Sequence, residues 1–185
     1  MPSVYKFQAL NHVEANMKMV GLQTGISCYA VGMAVVKSHT SCMSDEGFCH
    51  RIGLCPVKQS ELTPTSVGTL QVTALPGKGV LTEVTTDDVQ GIPFAQTTPL
   101  VTLVEGQRID MIFHLSKNVP TVHAKWASVA APVLLAGDED GQWLIEYENL
   151  GQFTDEELKG LLDSMGTPDR LPEDNKYNRV KYPDA

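Results

Sequence analysis

DEGFCHRIGLCP, at residues 45–56, has the pattern of a short helix that stops abruptly. Ser44 precedes it as a helix cap, and Asp45 and Glu46 fall in the first turn, where the helix dipole favours negative charge. Pro56 cannot continue a helix, because it has no amide proton and its ring clashes with the preceding turn. The sequence therefore predicts a helix that ends before Pro56.

On the N-terminal side, residues 11–20 place three apolar side chains at helical spacing: Val13, Met17 and Val20. This spacing predicts a short amphipathic helix, and Gly21 and Gly25 allow it to break. The apolar run at residues 29–36 lacks polar alternation, which favours a strand that is covered on both faces.

Short strands are predicted for the middle of the chain. Residues 69–75 and 80–85 flank the turn-forming sequence PGKG at 76–79, which favours a hairpin. Residues 108–115 alternate between apolar and polar side chains, as a half-buried strand does.

The clearest local pattern belongs to the last helix. Thr154 and Glu157 form a Thr-x-x-Glu capping box, and Phe153 is placed to pack against the first turn. One apolar stripe follows on a single face: Leu158, Leu161, Leu162 and Met165. Gly166 is placed to end the helix, and residues 167–185 are predicted to be an extended tail.

Composition narrows the function classes. The chain has 185 residues, with 14 Lys+Arg against 22 Asp+Glu, giving a net charge of −8. Binding to a nucleic-acid backbone depends on cationic side chains that displace counterions, so direct binding of DNA or RNA is not expected. No segment reaches about 18 consecutive apolar residues, and the N-terminus lacks a secretory pattern. We therefore expect an intracellular, non-membrane protein.

The four cysteines, at positions 28, 42, 49 and 55, do not form a metal-binding or disulfide pattern. Six and five residues separate the last three, unlike the two-residue gap of a zinc knuckle. They are predicted to be reduced thiols. Cys49 precedes His50, but adjacent helical residues point about 100° apart. No catalytic residue, metal or cofactor is predicted.

HAKW, at residues 123–126, supports two interpretations. Trp126 can cover the core at the end of a strand while Lys125 extends past it to solvent. Alternatively, a tryptophan beside cationic side chains is typical of a protein interface.

These motifs resemble the alpha-like assembly subunits of RNA polymerase: the third-largest subunit of eukaryotic polymerase II, its archaeal counterpart and the N-terminal domain of bacterial alpha. Residues 45–56 are similar to that family's acidic-start helix ending His-Arg-Leu-Gly-Leu-Ile-Pro, and residues 123–126 to its His-Ala-Lys-Trp/Phe element. Residues 15–18 and 145–154 are similar to its first helix and its final strand. The chain departs from the family at Lys18-Met19, where paired arginines are usual, and it has no cysteine cluster.

The resemblance implies an α+β fold. Residues 1–56 and 133–166 would form a discontinuous dimerisation domain of strands and helices, residues 57–132 an inserted, mostly β lobe, and 167–185 the tail. The size suggests a reduced member of the family, from a virus or another divergent polymerase.

The implied function is that of a non-catalytic subunit of a DNA-dependent RNA polymerase, acting in the nucleus, cytoplasm or virion. It would pair with an alpha-like or eleventh-subunit-like partner and dock the second-largest subunit. The expected dimer interface is Met17, Val20, Leu158, Leu161, Leu162 and Met165. The expected large-subunit contact is Arg51, His123, Lys125 and Trp126. Whether the dimer partner is a second copy or a different chain is left open. The alternatives are a stand-alone β-rich homodimeric binding protein and a small thiol enzyme using Cys49 or Cys55.

Overall fold

The computed structural model describes residues 2–63 and 65–165. Across these ranges the chain forms nine strands and three α-helices in the following order: β1 (Ser3–Gln8), α1 (His12–Thr24), β2 (Cys28–Thr40), α2 (Asp45–Gly53), β3 (Val67–Thr73), β4 (Leu81–Thr85), β5 (Val89–Gln90), β6 (Pro99–Val104), β7 (Arg108–Asn118), β8 (Val129–Ala136), β9 (Gln142–Asn149) and α3 (Asp155–Ser164). The predicted α+β class is confirmed, and none of these helices is long and apolar enough to cross a membrane.

In the described part of the chain, all strand pairing is antiparallel and forms three sheets. One sheet has the order β1-β9-β8, the second β2-β7-β3-β5, and the third pairs β4 with β6. The first sheet joins the two ends of the described chain, because β1 pairs along β9 from Ser3↔Tyr147 to Gln8↔Gln142. The second sheet and the β4-β6 pair are built from strands that lie between Cys28 and Asn118.

Two clusters of buried side chains hold these layers together. The terminal cluster packs α1 and α3 on the β1-β9-β8 sheet, and its fully buried members are Leu22, Cys28, Ile145, Leu158 and Leu162. The middle cluster packs α2 on the strands of the middle segment, with Phe48, Ile52, Leu70, Leu100 and Phe113 at its centre.

The two clusters do not divide the chain at the predicted positions. Val31, Phe48 and Ile52 precede residue 57 yet pack into the middle cluster, whereas Val129 precedes residue 133 and packs into the terminal one. The division into segments 1–56, 57–132 and 133–166 remains a prediction.

The helix predictions are confirmed in outline and corrected in detail. Of the two glycines expected to allow a break, Gly21 lies within α1 and Gly25 ends it, since the helix continues to Thr24 and is capped at Gly25. A Cβ on Gly21 would lie 3.4 Å from the sulfur of Met165, so this glycine faces the close α1–α3 contact. The predicted end of the last helix at Gly166 lies outside the described residues, as does the tail at 167–185.

Two strand predictions are wrong. Residues 69–75 and 80–85 do not form a hairpin, because β3 pairs with β7 and β5 whereas β4 pairs with β6. The turn at 76–79 therefore connects two different sheets. The run at 29–36 is not covered on both faces. It belongs to β2, an edge strand that leaves Met33, Val35 and Val36 exposed.

The capping box of α3 is present as predicted. The Thr154 hydroxyl accepts a hydrogen bond from the Glu157 amide at 3.2 Å, and a Glu157 carboxylate oxygen accepts one from the Thr154 amide at 2.7 Å. Leu158 and Leu162 on this helix are fully buried. The cap therefore stabilises the helix that closes the terminal cluster.

Replacing the cap by Thr154→Ala is expected to lower the free energy of unfolding by about 1 kcal/mol, because an N-terminal amide loses its acceptor. Urea denaturation followed by circular dichroism measures this change. Lys159→Ala, at an exposed position of the same helix, is the matched control and should stay within about 0.5 kcal/mol of the unaltered chain. Equal stability of the two variants would contradict a stabilising role for the cap.

Candidate contact surface

Two motifs far apart in the sequence come together on one surface. The α2 motif contributes His50 and the HAKW motif contributes His123, and their rings lie 5.8 Å apart, centroid to centroid, in an edge-to-face arrangement. Between them and β2 lies a groove of about 480 Å³. We call this the β2–α2 groove. It is lined by β2 residues 32–34 and 36, by the outward face of α2, and by His123 and Lys125.

The sequence of α2 explains why it lies along this groove. The Ser44 hydroxyl accepts a hydrogen bond from the Gly47 amide and caps the helix, while Phe48 and Ile52 are fully buried in the middle cluster. A Cβ on Gly53 would lie 3.2 Å from the carbonyl oxygen of Val31, so the end of the helix comes very close to β2.

The first residue of α2 contacts β2 near the C-terminal end of that strand. The His39 side chain is nearly inaccessible, and its ring lies 2.6 Å from an Asp45 carboxylate oxygen and 2.7 Å from the Ser41 hydroxyl. Because Asp45 lies beside His39 and Gly53 beside Val31, α2 runs back alongside β2. The helix therefore forms one wall of the groove over its whole length.

The HAKW turn forms the other wall of the groove, and its tryptophan is buried. Trp126 is only 7% exposed, and its indole Nε1 donates a hydrogen bond to the carbonyl oxygen of Ser116 at 3.0 Å. Lys125 passes over the Trp126 ring, with Nζ 4.5 Å from the ring centroid, and donates to the carbonyl of Val31 at 3.3 Å. In this chain, Trp126 therefore covers the core. A direct contact with a large subunit remains a prediction for Trp126.

Arg51 is anchored within the chain through one of its terminal nitrogens. Its Nη1 donates a hydrogen bond to the carbonyl oxygen of Leu100 at 2.7 Å, which joins α2 to β6. The residue as a whole is nevertheless exposed, as is His123, whose ring accepts the Lys125 amide proton on Nδ1. Of the four predicted contact residues, His123, Lys125 and Trp126 therefore lie together, and Arg51 follows His50 on α2.

The predicted dimer-interface residues fall into two groups. Leu158 and Leu162 are fully buried in the terminal cluster, where they contact the chain itself. Val20 is 44% exposed, and the other three are half-buried: Met17, Leu161 and Met165. On α1 the predicted stripe of Val13, Met17 and Val20 faces outward, since the buried residues of this helix are Ala15 and Leu22.

The contact between Gln59 and β2 could not be predicted from the sequence. The side-chain amide of Gln59 bonds to both main-chain groups of Tyr29: its Oε1 accepts from the amide at 2.7 Å and its Nε2 donates to the carbonyl at 3.0 Å. This caps the free edge of β2 with a residue 30 positions away. No local pattern around Gln59 indicates such a contact.

Two of the four thiols are held away from the reactive thiolate form. Burial raises the pKa of Cys28 from 9.0 to about 12, and burial also raises the pKa of Cys55. A nucleophilic thiol needs the opposite shift, because the thiolate is the reactive form. All four cysteines are free, and within residues 2–63 and 65–165 no group of three or more His, Cys, Asp or Glu side chains is placed to hold a metal ion.

Replacing Trp126→Ala is expected to lower the free energy of unfolding by about 3–5 kcal/mol, because it removes a buried ring and its hydrogen bond. Thermal and urea denaturation measure this loss. Val122→Ala, at a 60% exposed position beside the same turn, is the control and should change stability little. A Trp126→Ala chain as stable as the control would show that the ring does not contribute to the core.

Alkylation of the native chain should separate the four thiols by accessibility and charge. At about pH 8 we expect Cys42, which is exposed, to react first, and Cys28 and Cys55 to react only after denaturation, since their raised pKa values keep them protonated. The raised pKa of Cys28 also affects folding stability. Its contribution is fully present below the ordinary thiol pKa of 9.0 and is lost as the pH rises towards the pKa of folded Cys28, about 12. Mass spectrometry of the labelled peptides measures the order. Rapid labelling of native Cys55 would contradict this and favour a reactive thiol.

Comparison with known proteins identifies relatives in one protein class. No family-level sequence profile matches the chain. The chain is 28% identical over 135 residues to DNA-directed RNA polymerase subunit Rpo3 of Methanocaldococcus jannaschii, covering 72% of this chain and 68% of that protein. It is also 28% identical to subunit Rpo3 of Pyrobaculum arsenaticum, covering 55% of this chain and 46% of that protein. These similarities confirm the resemblance expected from the two motifs: the chain is similar in sequence to the Rpo3 subunits of archaeal DNA-directed RNA polymerases.

Proposed function

We propose that this chain is a non-catalytic scaffold subunit of a DNA-directed RNA polymerase. Its relatives are polymerase subunits by name. The observation that carries the proposal is that the two family-like motifs, at 45–56 and 123–126, form the two walls of one groove.

The charges of the chain support a protein partner over a nucleic-acid partner. The net charge is −8, and a phosphate backbone would be repelled by an acidic surface. The β2–α2 groove carries both signs, with Asp45 and Glu46 on α2 and Lys125 on the opposite wall. Interspersed opposite charges are suited to a protein surface of complementary pattern.

The terminal layer is the proposed dimerisation layer, contributed by the N- and C-terminal segments. Here α1 and α3 pack side by side over the β1-β9-β8 sheet. Leu158 and Leu162 hold this layer together from inside. Leu161 and Met165 pack against the same cluster but are only half-buried, and together with Val20 and Met17 they are the proposed contacts to a partner. The proposed partner is an alpha-like or eleventh-subunit-like chain. Its burial of these side chains would remove apolar surface from water.

The second proposed contact is with the second-largest subunit of the polymerase, at Arg51, His123, Lys125 and Trp126. His123 and Lys125 line the groove, so they are suited to direct contact. Trp126 and Arg51 are hydrogen bonded to the main chain at Ser116 and Leu100, and their part would be to hold the surface in shape. Such a subunit acts wherever transcription takes place in the cell.

The test is native purification of a tagged chain from its source, with mass spectrometry of the complex. We expect the second-largest polymerase subunit and one alpha-like or eleventh-subunit-like chain to co-purify. Val20→Asp and Leu161→Asp should each reduce recovery of the dimer partner by at least about tenfold, because a carboxylate would be buried in an apolar seam.

Leu75→Asp is the matched control, since Leu75 is 58% exposed on the middle segment, outside both proposed surfaces. It should leave the complex intact. Recovery of the chain with a second copy of itself and no polymerase subunit would overturn the proposal and favour a stand-alone homodimeric binding protein. A turnover activity that is lost on alkylation of Cys49 would favour a thiol enzyme instead.

A further inference from the structure

We infer that the β2–α2 groove receives an extended segment of the second-largest subunit, which adds to the free edge of β2 as a further strand. This inference rests on the proposed function, because it names how the partner binds at the same surface. Four observations support it. First, β2 is an edge strand, and one part of its free edge is occupied while another part is open. In addition, the groove beside the open part carries opposite charges at its two ends.

The free edge of β2 is identified by its pairing and its hydrogen bonds. Among the described strands, β2 is the outermost of its sheet and pairs only with β7. The amide of Tyr29 donates to Gln59, not to β7, and the carbonyl of Val31 accepts from Lys125 Nζ. The main-chain groups of Tyr29 and Val31 therefore point away from β7, towards the free edge.

The register of the strand pair extends this orientation along β2. In an antiparallel pair, residues that bond to the partner alternate with residues that do not. On β7, Lys117 lies opposite Tyr29 and Leu115 lies opposite Val31. Two further steps of the same alternation along β7 lead to Phe113 and Met111. These two residues lie opposite Ala34 and Val36. The bulge between Val31 and Met33 accounts for the change of spacing on β2. The amides and carbonyls of Ala34 and Val36 therefore point outward.

These outward groups are open in the described part of the chain. Tyr29 and Val31 are capped by Gln59 and Lys125, but no side chain or loop within residues 2–63 and 65–165 bonds to the main chain of Ala34 or Val36. Met33 and Val35, on the same stretch, are 54% and 43% exposed. An open edge with apolar side chains is a template for pairing with another strand, and strand addition is a common way to bind an extended peptide.

The length of the open edge sets the size of the added strand. A second bulge follows between Val36 and Ser38, and bulges interrupt pairing. The open stretch is therefore residues 33–36, which offers the amide and carbonyl groups of two residues. The groove of about 480 Å³ beside it has room for a short extended segment.

Charge defines the chemistry of that segment. Asp45 and Glu46 lie at the His39 end of the groove, and Lys125, with His50 and His123, lies at the Val31 end. A complementary segment carries a basic side chain at the first end and an acidic side chain at the second. The main-chain bonds would supply affinity, and these two charges would set the direction of the added strand.

The test compares proline variants at the open edge. Proline removes an outward amide and is tolerated on edge strands where that amide faces away from the sheet. Ala34→Pro and Val36→Pro should each weaken binding of the purified second-largest subunit by about fivefold or more, the effect of losing one main-chain hydrogen bond and its neighbours. Ala34→Ser and Val36→Thr keep the amide at the same positions and should bind within about twofold of the unaltered chain.

Hydrogen exchange of the unaltered chain gives an independent readout. The amides of Ala34 and Val36 should become protected when the chain is in the purified polymerase, whereas those of Leu75 and Leu81 should not change. Glu46→Lys should weaken binding, and a compensating acidic substitution in the captured segment should restore it.

The outcomes separate the two proposals. If the chain binds the second-largest subunit but the proline variants bind equally well and residues 33–36 gain no protection, strand addition is wrong and the scaffold function stands. If the chain recovers no polymerase subunit, the proposed function fails and the strand addition that rests on it fails with it.

Discussion

Burial of Phe48 and Ile52 against the middle sheet fixes α2 beside β2, and the candidate contact surface depends on this packing. Each side chain is fully buried, which corresponds to about 1.5–3 kcal/mol of favourable transfer free energy per residue. The two ends of the helix are then held by His39 at Asp45 and by the close approach of Gly53 to Val31. With α2 in this position, its outward residues have to face the HAKW turn.

The terminal layer is also fixed by side-chain contacts, but between residues that lie much farther apart in the sequence. The Ser3 hydroxyl donates to the Asp155 carboxylate, and the Tyr5 hydroxyl donates to Asp163 at 2.5 Å. These bonds connect β1 to α3 over more than 150 residues of chain. Burial, together with the bond to Asp163, raises the pKa of Tyr5, so its hydroxyl keeps its proton as a donor. Both ends of the described chain therefore support a single layer, from which α1 presents Met17 and Val20 outward.

Sequence reasoning succeeded where the controlling interactions are local. The α2 and α3 helices were predicted because caps, acidic first turns and apolar spacing act within one or two helical turns. The alternation along β7 correctly identified Ile109, Met111 and Phe113 as buried. Sequence reasoning failed for the hairpin at 76–79, since the choice between pairing β3 with β4 or with β7 depends on contacts about 40 residues away. It also failed for β2, where an apolar run indicated burial on both faces although the strand lies at an edge.

The sequence by itself determined the helices, the alternating strand, the acidic charge and the two motifs that resemble those of polymerase subunits. These properties depend on neighbouring residues or on composition alone. Only the tertiary structure decided that the motifs at 45–56 and 123–126 share a groove, that Trp126 is buried while His123 is exposed, and that part of the β2 edge stays open. Each of these depends on which distant segments occupy the same space, and the packing of the whole chain sets that arrangement.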